Sequence, residues 1–134
     1  MDFQLTPKLW GSELELVNNE SYCGKVLTLD PGYQCSLHYH PMKKETFCVL
    51  EGQVLMEIYS PKGYVGHEYR RSNQLIFGHF SMNPGDRVTI EPNTPHRFRA
   101  LKGNRAMIME ISTPHSDDDV VRIEPSRAIE IYNA

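Results

Sequence analysis

Apolar residues in this chain recur at every second position in short runs, and not at every third or fourth. The segments ELELV (13–17), KVLTL (25–29), TFCVL (46–50), QVLMEIY (53–59), RVTIE (87–91), HRFRAL (96–101) and RAMIMEI (105–111) each predict a strand. Turn chemistry stands between them: Asp30-Pro-Gly, Glu51-Gly, Ser60-Pro-Lys-Gly, Asn83-Pro-Gly-Asp, Glu91-Pro-Asn-Thr-Pro and Lys102-Gly-Asn. No window of helical length carries a 3.6-residue period with caps. Short strands at this spacing predict an all-β sandwich or small barrel. Two segments fit less well. Residues 61–80 are long for a hairpin tip and predict an extended hairpin or a loop over one face. Residues 112–127 hold an acidic run, Asp117-Asp118-Asp119, expected as a solvated loop or a short helix start, and then an amphipathic piece.

Composition narrows this picture. At 134 residues and 40% apolar content, the chain suits a single domain over 1–134. The formal charge of −3 includes no basic stripe, which argues against a nucleic-acid partner. No apolar stretch approaches the roughly 18 residues of a bilayer span, so no membrane partner is expected. The start, MDFQLTPKLW, lacks the apolar segment of a secretory signal. Cys23, Cys35 and Cys48 are odd in number and share no CxxC spacing. They are expected as reduced, buried thiols in a cytoplasmic protein.

The candidate chemistry sits in GYQCSLHYHPMKKETFCVLEG (32–52). On a strand, His38 and His40 point the same way, about 6–7 Å apart. That spacing lets two imidazole nitrogens converge on one ion. Pro41 ends the strand, and Glu45 opens the next with Phe47 and Val49 on its own face. A fourth ligand is needed from elsewhere. His96 is the natural choice, following a rigid Pro92-Asn-Thr-Pro95 turn.

The fixed points Gly32, His38, His40, Glu45 and Gly52, followed by Pro84-Gly85-Asp86, Pro92, Pro95 and His96, resemble the two motifs of the cupin superfamily. The resemblance covers about residues 22–111 and leaves 112–134 as a C-terminal extension. It implies a cupin-type double-stranded β-helix, a jelly-roll barrel. It also implies His38, His40, Glu45 and His96 as ligands of one divalent metal ion, zinc, manganese, iron, cobalt or nickel. The family usually has glycine three residues before the second-motif histidine. Asn93 stands there, a residue that also tolerates left-handed backbone angles.

Further text, WGSELELVNNESYCGKVLTL (10–29) and EISTPHSDDDVVRI (110–123), is similar to the sugar-handling branch of cupins, of the D-lyxose ketol-isomerase type. That branch carries a lysine two residues before the glutamate ligand, and Lys43 matches the offset. The resemblance implies a metal-dependent isomerase of a sugar or sugar phosphate, acting through an enediol. A non-catalytic sugar-binding module and a metal-dependent dioxygenase are the alternatives. Lys43 is a candidate donor to a substrate oxygen. Glu110 interrupts AMIMEI and is a candidate acid/base, although an outward-facing carboxylate is the plainer expectation. Tyr22 and Ser36 are candidate partners for sugar hydroxyls. His67 and His79 read as a lid or as solvated loop residues. Arg97 and Arg99 should face away from the metal, toward solvent or a dimer surface. Trp10 should pack over a barrel end, and Cys48 should lie opposite Glu45 among apolar neighbours. Terminal strands such as AIEIY (128–132) often pair between subunits, and a homodimer is expected.

Overall fold

The computed structural model describes residues 4–60, 64–65, 68–69 and 78–129. These residues form strands and no helix. In chain order the strands are β1 (Gln4–Lys8), β2 (Gly11–Asn18), β3 (Cys23–Leu29), β4 (Tyr33–Gln34), β5 (Leu37–Tyr39), β6 (Glu45–Glu51), β7 (Val54–Ile58), β8 (Tyr64–Val65) and β9 (Glu68–Tyr69). They continue as β10 (Gly78–Met82), β11 (Arg87–Ile90), β12 (His96–Ala100), β13 (Ala106–Ser112), β14 (Val121–Glu124) and β15 (Arg127–Ala128). All pairings are antiparallel. One sheet runs β1-β2-β3-β13-β6-β11 and a second runs β10-β7-β12-β5-β14. Every strand predicted from alternation is present, within one or two residues at its ends.

Alternation explains the packing. Glu45, Phe47 and Val49 point inward from β6, while Thr46, Cys48 and Leu50 point outward. Leu27, Leu29, Val49, Ala106 and Ile108 of the first sheet meet Val54, Met56, Phe98 and Ala100 of the second in one apolar core. Phe98 touches Phe47 with ring centroids 5.6 Å apart and Trp10 at 5.7 Å. Trp10 thus belongs to the core cluster itself and does not merely cover an end. The core closes the barrel below the site and leaves the polar residues above it.

Two motif positions show why their backbone matters. Gly52 has φ 76°, and a Cβ there would lie 2.5 Å from the Arg105 carbonyl oxygen, a clash that no side-chain motion relieves. Asn93 has φ 64°, the left-handed geometry expected of the glycine it replaces. Its N–H donates to the His40 carbonyl at 2.8 Å, docking the turn before β12 onto the end of β5.

Several expectations change. Asp117 and Asp118 lie in an exposed turn, the loop expected of the acidic run and not a helix start, and the change comes in the amphipathic piece that follows. Val121–Glu124 joins the second sheet beside β5, and Arg127–Ala128 pairs with β4. The described part of AIEIY therefore pairs within its own chain. Gly78–Met82 returns antiparallel along β7 and Tyr64–Val65 pairs with Glu68–Tyr69, so the described part of 61–80 keeps to the expected extended hairpin. His67 lies outside the described residues. Cys23 and Cys35 are buried, whereas Cys48 is only half-buried.

Candidate metal centre and cavity

The barrel brings the four predicted ligands together from three stretches of chain. His96 on β12 stands directly opposite His38 on β5, and His40 follows at the end of β5. The three ring centroids are 4.6, 5.0 and 5.8 Å apart, and one nitrogen from each ring lies within 4.8 Å of the other two. Glu45 approaches from β6, its Oε1 at 2.8 Å from His96 Nε2 and 3.5 Å from His40 Nε2.

The other edge of each ring is held by the backbone. His38 Nδ1 lies 2.9 Å from the Ser36 carbonyl, His40 Nδ1 2.7 Å from the Asp119 carbonyl, and His96 Nδ1 2.8 Å from the Thr94 carbonyl. A carbonyl only accepts, so each Nδ1 carries a proton and Nε2 is the nitrogen left to face an ion. This is the arrangement in which three neutral imidazoles can hold a metal. Glu45 Oε1 and His96 Nε2 are buried and make no well-directed hydrogen bond. Orphaned buried polar atoms are costly. A divalent cation among them would satisfy both, so the donor set fits a metal.

Charge states separate His96 from the other two rings. Burial and the neighbouring imidazoles push His38 down to about 3, and burial pushes His40 down to about 4. Both are neutral near pH 7. Burial opposes ionisation of Glu45, but His96, Lys43 and His40 hold it well below the usual carboxylate range. Burial also works against charge on His96, yet the Glu45 carboxylate raises it.

A lysine–carboxylate cluster adjoins this centre. Lys43 is only 4% exposed, with Nζ 3.5 Å from Glu45 Oε2 and 3.2 Å from Glu110 Oε2. Glu110 is 5% exposed and faces inward, not outward as the sequence suggested. Both phases of β13 are apolar, so alternation alone could not orient it. Burial and the Glu45 charge raise Glu110 above the ordinary carboxylate value, with Lys43 and Lys25 opposing. Burial works against charge on Lys43, but Glu110 and Glu45 raise it, so it stays an ammonium.

The cluster opens into a cavity of about 590 Å³ whose walls include His38, His40, Lys43, Glu45 and Glu110. Ser36 lines it too, its Oγ 3.0 Å from His38 Nδ1. Tyr22 does not: it is 53% exposed and lies outside the lining. Lys25 and His115 also line the cavity, and neither was singled out in the sequence. The signal for Lys25 was its phase, shared with Leu27 and Leu29. No periodicity marked His115 or Asp119. The segment that carries them pins the turn between β5 and β6, since Asp119 Oδ1 accepts from the Met42 N–H at 2.8 Å and Lys44 and Thr113 exchange hydrogen bonds.

The outward residues differ from expectation as well. Arg97 faces away from the metal centre, but it pairs with Glu57 and, at 2.6 Å, with Glu124. His79 lies 2.6 Å from the same Glu57 and is no lid.

Residues 13–122 match the cupin domain model. The chain belongs to the cupin family. Solved cupin-fold neighbours cover nearly all of it. Oxalate decarboxylase from Bacillus subtilis aligns over 91% of this chain and 30% of its own, at 18% identity and TM-score 0.71. The capsular polysaccharide assembling protein CapF from Staphylococcus aureus aligns over 92% and 32%, at 17% identity and TM-score 0.71. At such identity they show the fold alone. Among curated proteins, this cupin is 36% identical over 116 residues to the D-lyxose/D-mannose isomerase of Thermosediminibacter oceani, covering 79% of this chain and 63% of that one. It is 31% identical over 124 residues to the D-lyxose ketol-isomerase of a Thermofilum species, covering 84% and 68%. The chain thus spans about two thirds of the length of these relatives. No helix among the described residues is long and apolar enough to cross a membrane.

Proposed function

We propose that this cupin is a metal-dependent sugar isomerase that interconverts an aldose and its ketose. The observation that carries the reading is the buried Lys43–Glu110 pair, set beside three converging imidazoles and opening into a polar cavity. His38, His40, Glu45 and His96 would hold one divalent ion, which when bound supplies positive charge next to oxygens that become negative as the enediol forms. The resemblance to the two isomerases supports the substrate class.

Within this reading Glu110 is the acid/base. Burial makes it a stronger base than an exposed carboxylate. It takes the proton from the hydroxyl-bearing carbon next to the carbonyl, the C–H electron pair forms the carbon–carbon double bond, and the carbonyl oxygen gains the displaced pair. The Lys43 ammonium donates a hydrogen bond to that oxygen. Return of the proton to the adjacent carbon, with the hydroxyl proton passing between the two oxygens, completes the exchange. In the same reading Ser36, on the cavity wall, meets a sugar hydroxyl.

A sugar-binding module without catalysis is the competing reading, since the same polar cavity suits a sugar that is held and not turned over. A dioxygenase acting on an aromatic or enediol substrate calls for redox-active metal and a largely apolar pocket. Glu13, Glu15, Lys25 and Glu110 line this one and lend that reading no support. A single domain, a homodimer and a cytoplasmic setting complete the proposal, supported respectively by one continuous core, by the exposed outer faces of Leu5, Leu16 and Ile111, and by three free thiols.

The test is incubation with a panel of aldoses and ketoses, D-lyxose and D-mannose among them, each with manganese, cobalt, zinc or nickel, followed by product chromatography. Ketose formed from an aldose in a metal-dependent manner supports the proposal. Sugar-induced thermal stabilisation with no product over hours would replace it with the binding module.

A further inference from the structure

Lys43 Nζ has a third neighbour that the proposed mechanism does not use. His115 Nδ1 lies 3.3 Å from it, and His115 Nε2 lies 3.0 Å from Asp117 Oδ1. An ammonium only donates and an ionised carboxylate only accepts. One tautomer of a neutral imidazole satisfies both at once: the proton on Nε2 toward Asp117, the lone pair on Nδ1 toward Lys43. Burial, with Lys25 and Lys43 nearby, lowers the His115 pKa and keeps the ring neutral. The residue is also pinned through its backbone. Its N–H donates to Asn18 Oδ1 at 3.0 Å, and Asn18 Nδ2 donates to its carbonyl at 3.1 Å. Asn18 ends β2, so the ring is referenced to the first sheet.

We propose that His115 is the positioning residue for Lys43, its ring set by Asp117 and its backbone by Asn18, so that the ammonium is aimed along the cavity wall between Glu45 and Glu110. Before a sugar enters, the three protons of Lys43 face three acceptors, Glu45 Oε2, Glu110 Oε2 and His115 Nδ1, and a sugar oxygen displaces the most distant of them, Glu45 at 3.5 Å. The two carboxylates alone leave the third proton unheld and the long side chain free to rotate toward them. A flexible four-carbon stem gains direction only from such contacts. The acidic run that looked like solvated loop thereby acquires a specific part, with Asp117 orienting the ring from outside. The consequence for turnover rests on the isomerase reading above, whereas the positioning itself does not.

The experiment uses the zinc-loaded chain labelled with ¹⁵N-lysine. The Lys43 ammonium resonance is assigned by its loss in Lys43→Met, and its proton exchange is followed by NMR alongside steady-state kinetics. His115→Leu is expected to speed exchange of the Lys43 protons about fivefold or more. It should lower kcat about tenfold while KM stays within about twofold. His115→Asn puts an acceptor where Nδ1 stood and should restore slow exchange and most of kcat. Asp117→Ala, which leaves the His115 side chain in place, should shift both readouts the same way by about twofold. Unchanged Lys43 exchange in a folded, metal-loaded His115→Leu chain overturns the proposal, as does failure of His115→Asn to differ from His115→Leu. If the wild-type chain isomerises no sugar, the isomerase reading falls while the ammonium signal still decides the role of His115.

Discussion

His96 and Arg97 are neighbours on β12 and serve two different clusters of buried charge, one on each face of the same sheet. Inside, Glu45, Lys43 and Glu110 line an open cavity, with His96 behind Glu45. Outside, Arg97 stands between Glu57 and Glu124, and His79 and Tyr59 reach the same Glu57 carboxylate. The residue types are nearly the same, although His79 and Glu124 at the rim of the outer cluster are 44% and 41% exposed while the inner one is buried throughout. What differs most is what is left over. Glu57 spends both oxygens on neighbours, and at the edge of its cluster only Gln34 Oε1 lacks a partner among the described residues. Glu45 and His96 each keep a buried atom without a well-directed hydrogen bond, side by side at the metal centre. A saturated charge cluster fastens β7, β12 and β14 together. An unsaturated one is held ready for a cation that the chain does not itself supply.

The largest effect that separates the two comes from His38→Ala or His96→Ala. Either should strip bound metal and reduce isomerisation by roughly a thousandfold or more, read by elemental analysis and product formation. Lys43→Met should keep one metal per chain yet lose activity about a hundredfold. Retained activity in that variant would remove Lys43 from the mechanism. On the other face, Glu57→Ala leaves Arg97 partly buried without its main partner and should cost about 3 kcal/mol of stability. The measurement is a shift of the urea midpoint, with metal content unchanged. A loss of metal there would erase the distinction between the clusters.

Acid should expose the inner cluster in metal-free protein. His38 and His40 are held at about 3 and about 4 in the fold, against about 6.5 when unfolded. Between those values the unfolded chain binds more protons than the native one, so stability falls as pH drops from about 6.5 toward 4. Thermal melts across that range should show a progressive decline, reduced when metal occupies the imidazoles. The smallest effect concerns the thiols. Burial pushes Cys35 up to about 12, whereas Cys48 is half-buried on the outer face of β6. A thiol reagent should modify Cys48 first and Cys35 last.

The ligand set was legible because it depends on short-range geometry. Two histidines with one residue between them share a strand face, a proline ends that strand, and a left-handed turn residue precedes the next histidine. Strand positions were legible for the same reason. Glu110 was harder to orient, since Met107, Met109 and Ile111 on the outer face are as apolar as Ala106 and Ile108 on the inner one. Periodicity loses its meaning when both faces of a sheet are apolar. The outer cluster and the His115 segment were invisible for another reason. Glu57 meets Arg97 across β7 and β12, and His115 meets Lys43 over 72 positions of chain. Only register brings such partners together, and local pattern does not report register. Tyr22 shows the opposite failure, a hydroxyl near the motif in sequence but turned to solvent in space.

X-ray absorption at the metal edge of the loaded chain tests the central claim most directly. One ion per chain, surrounded by three imidazole nitrogens and a carboxylate oxygen with the remaining positions filled by solvent, is the predicted shell. A chain that takes up no ion from excess manganese, zinc, cobalt or nickel, or one whose ion shows no imidazole scattering, would contradict it.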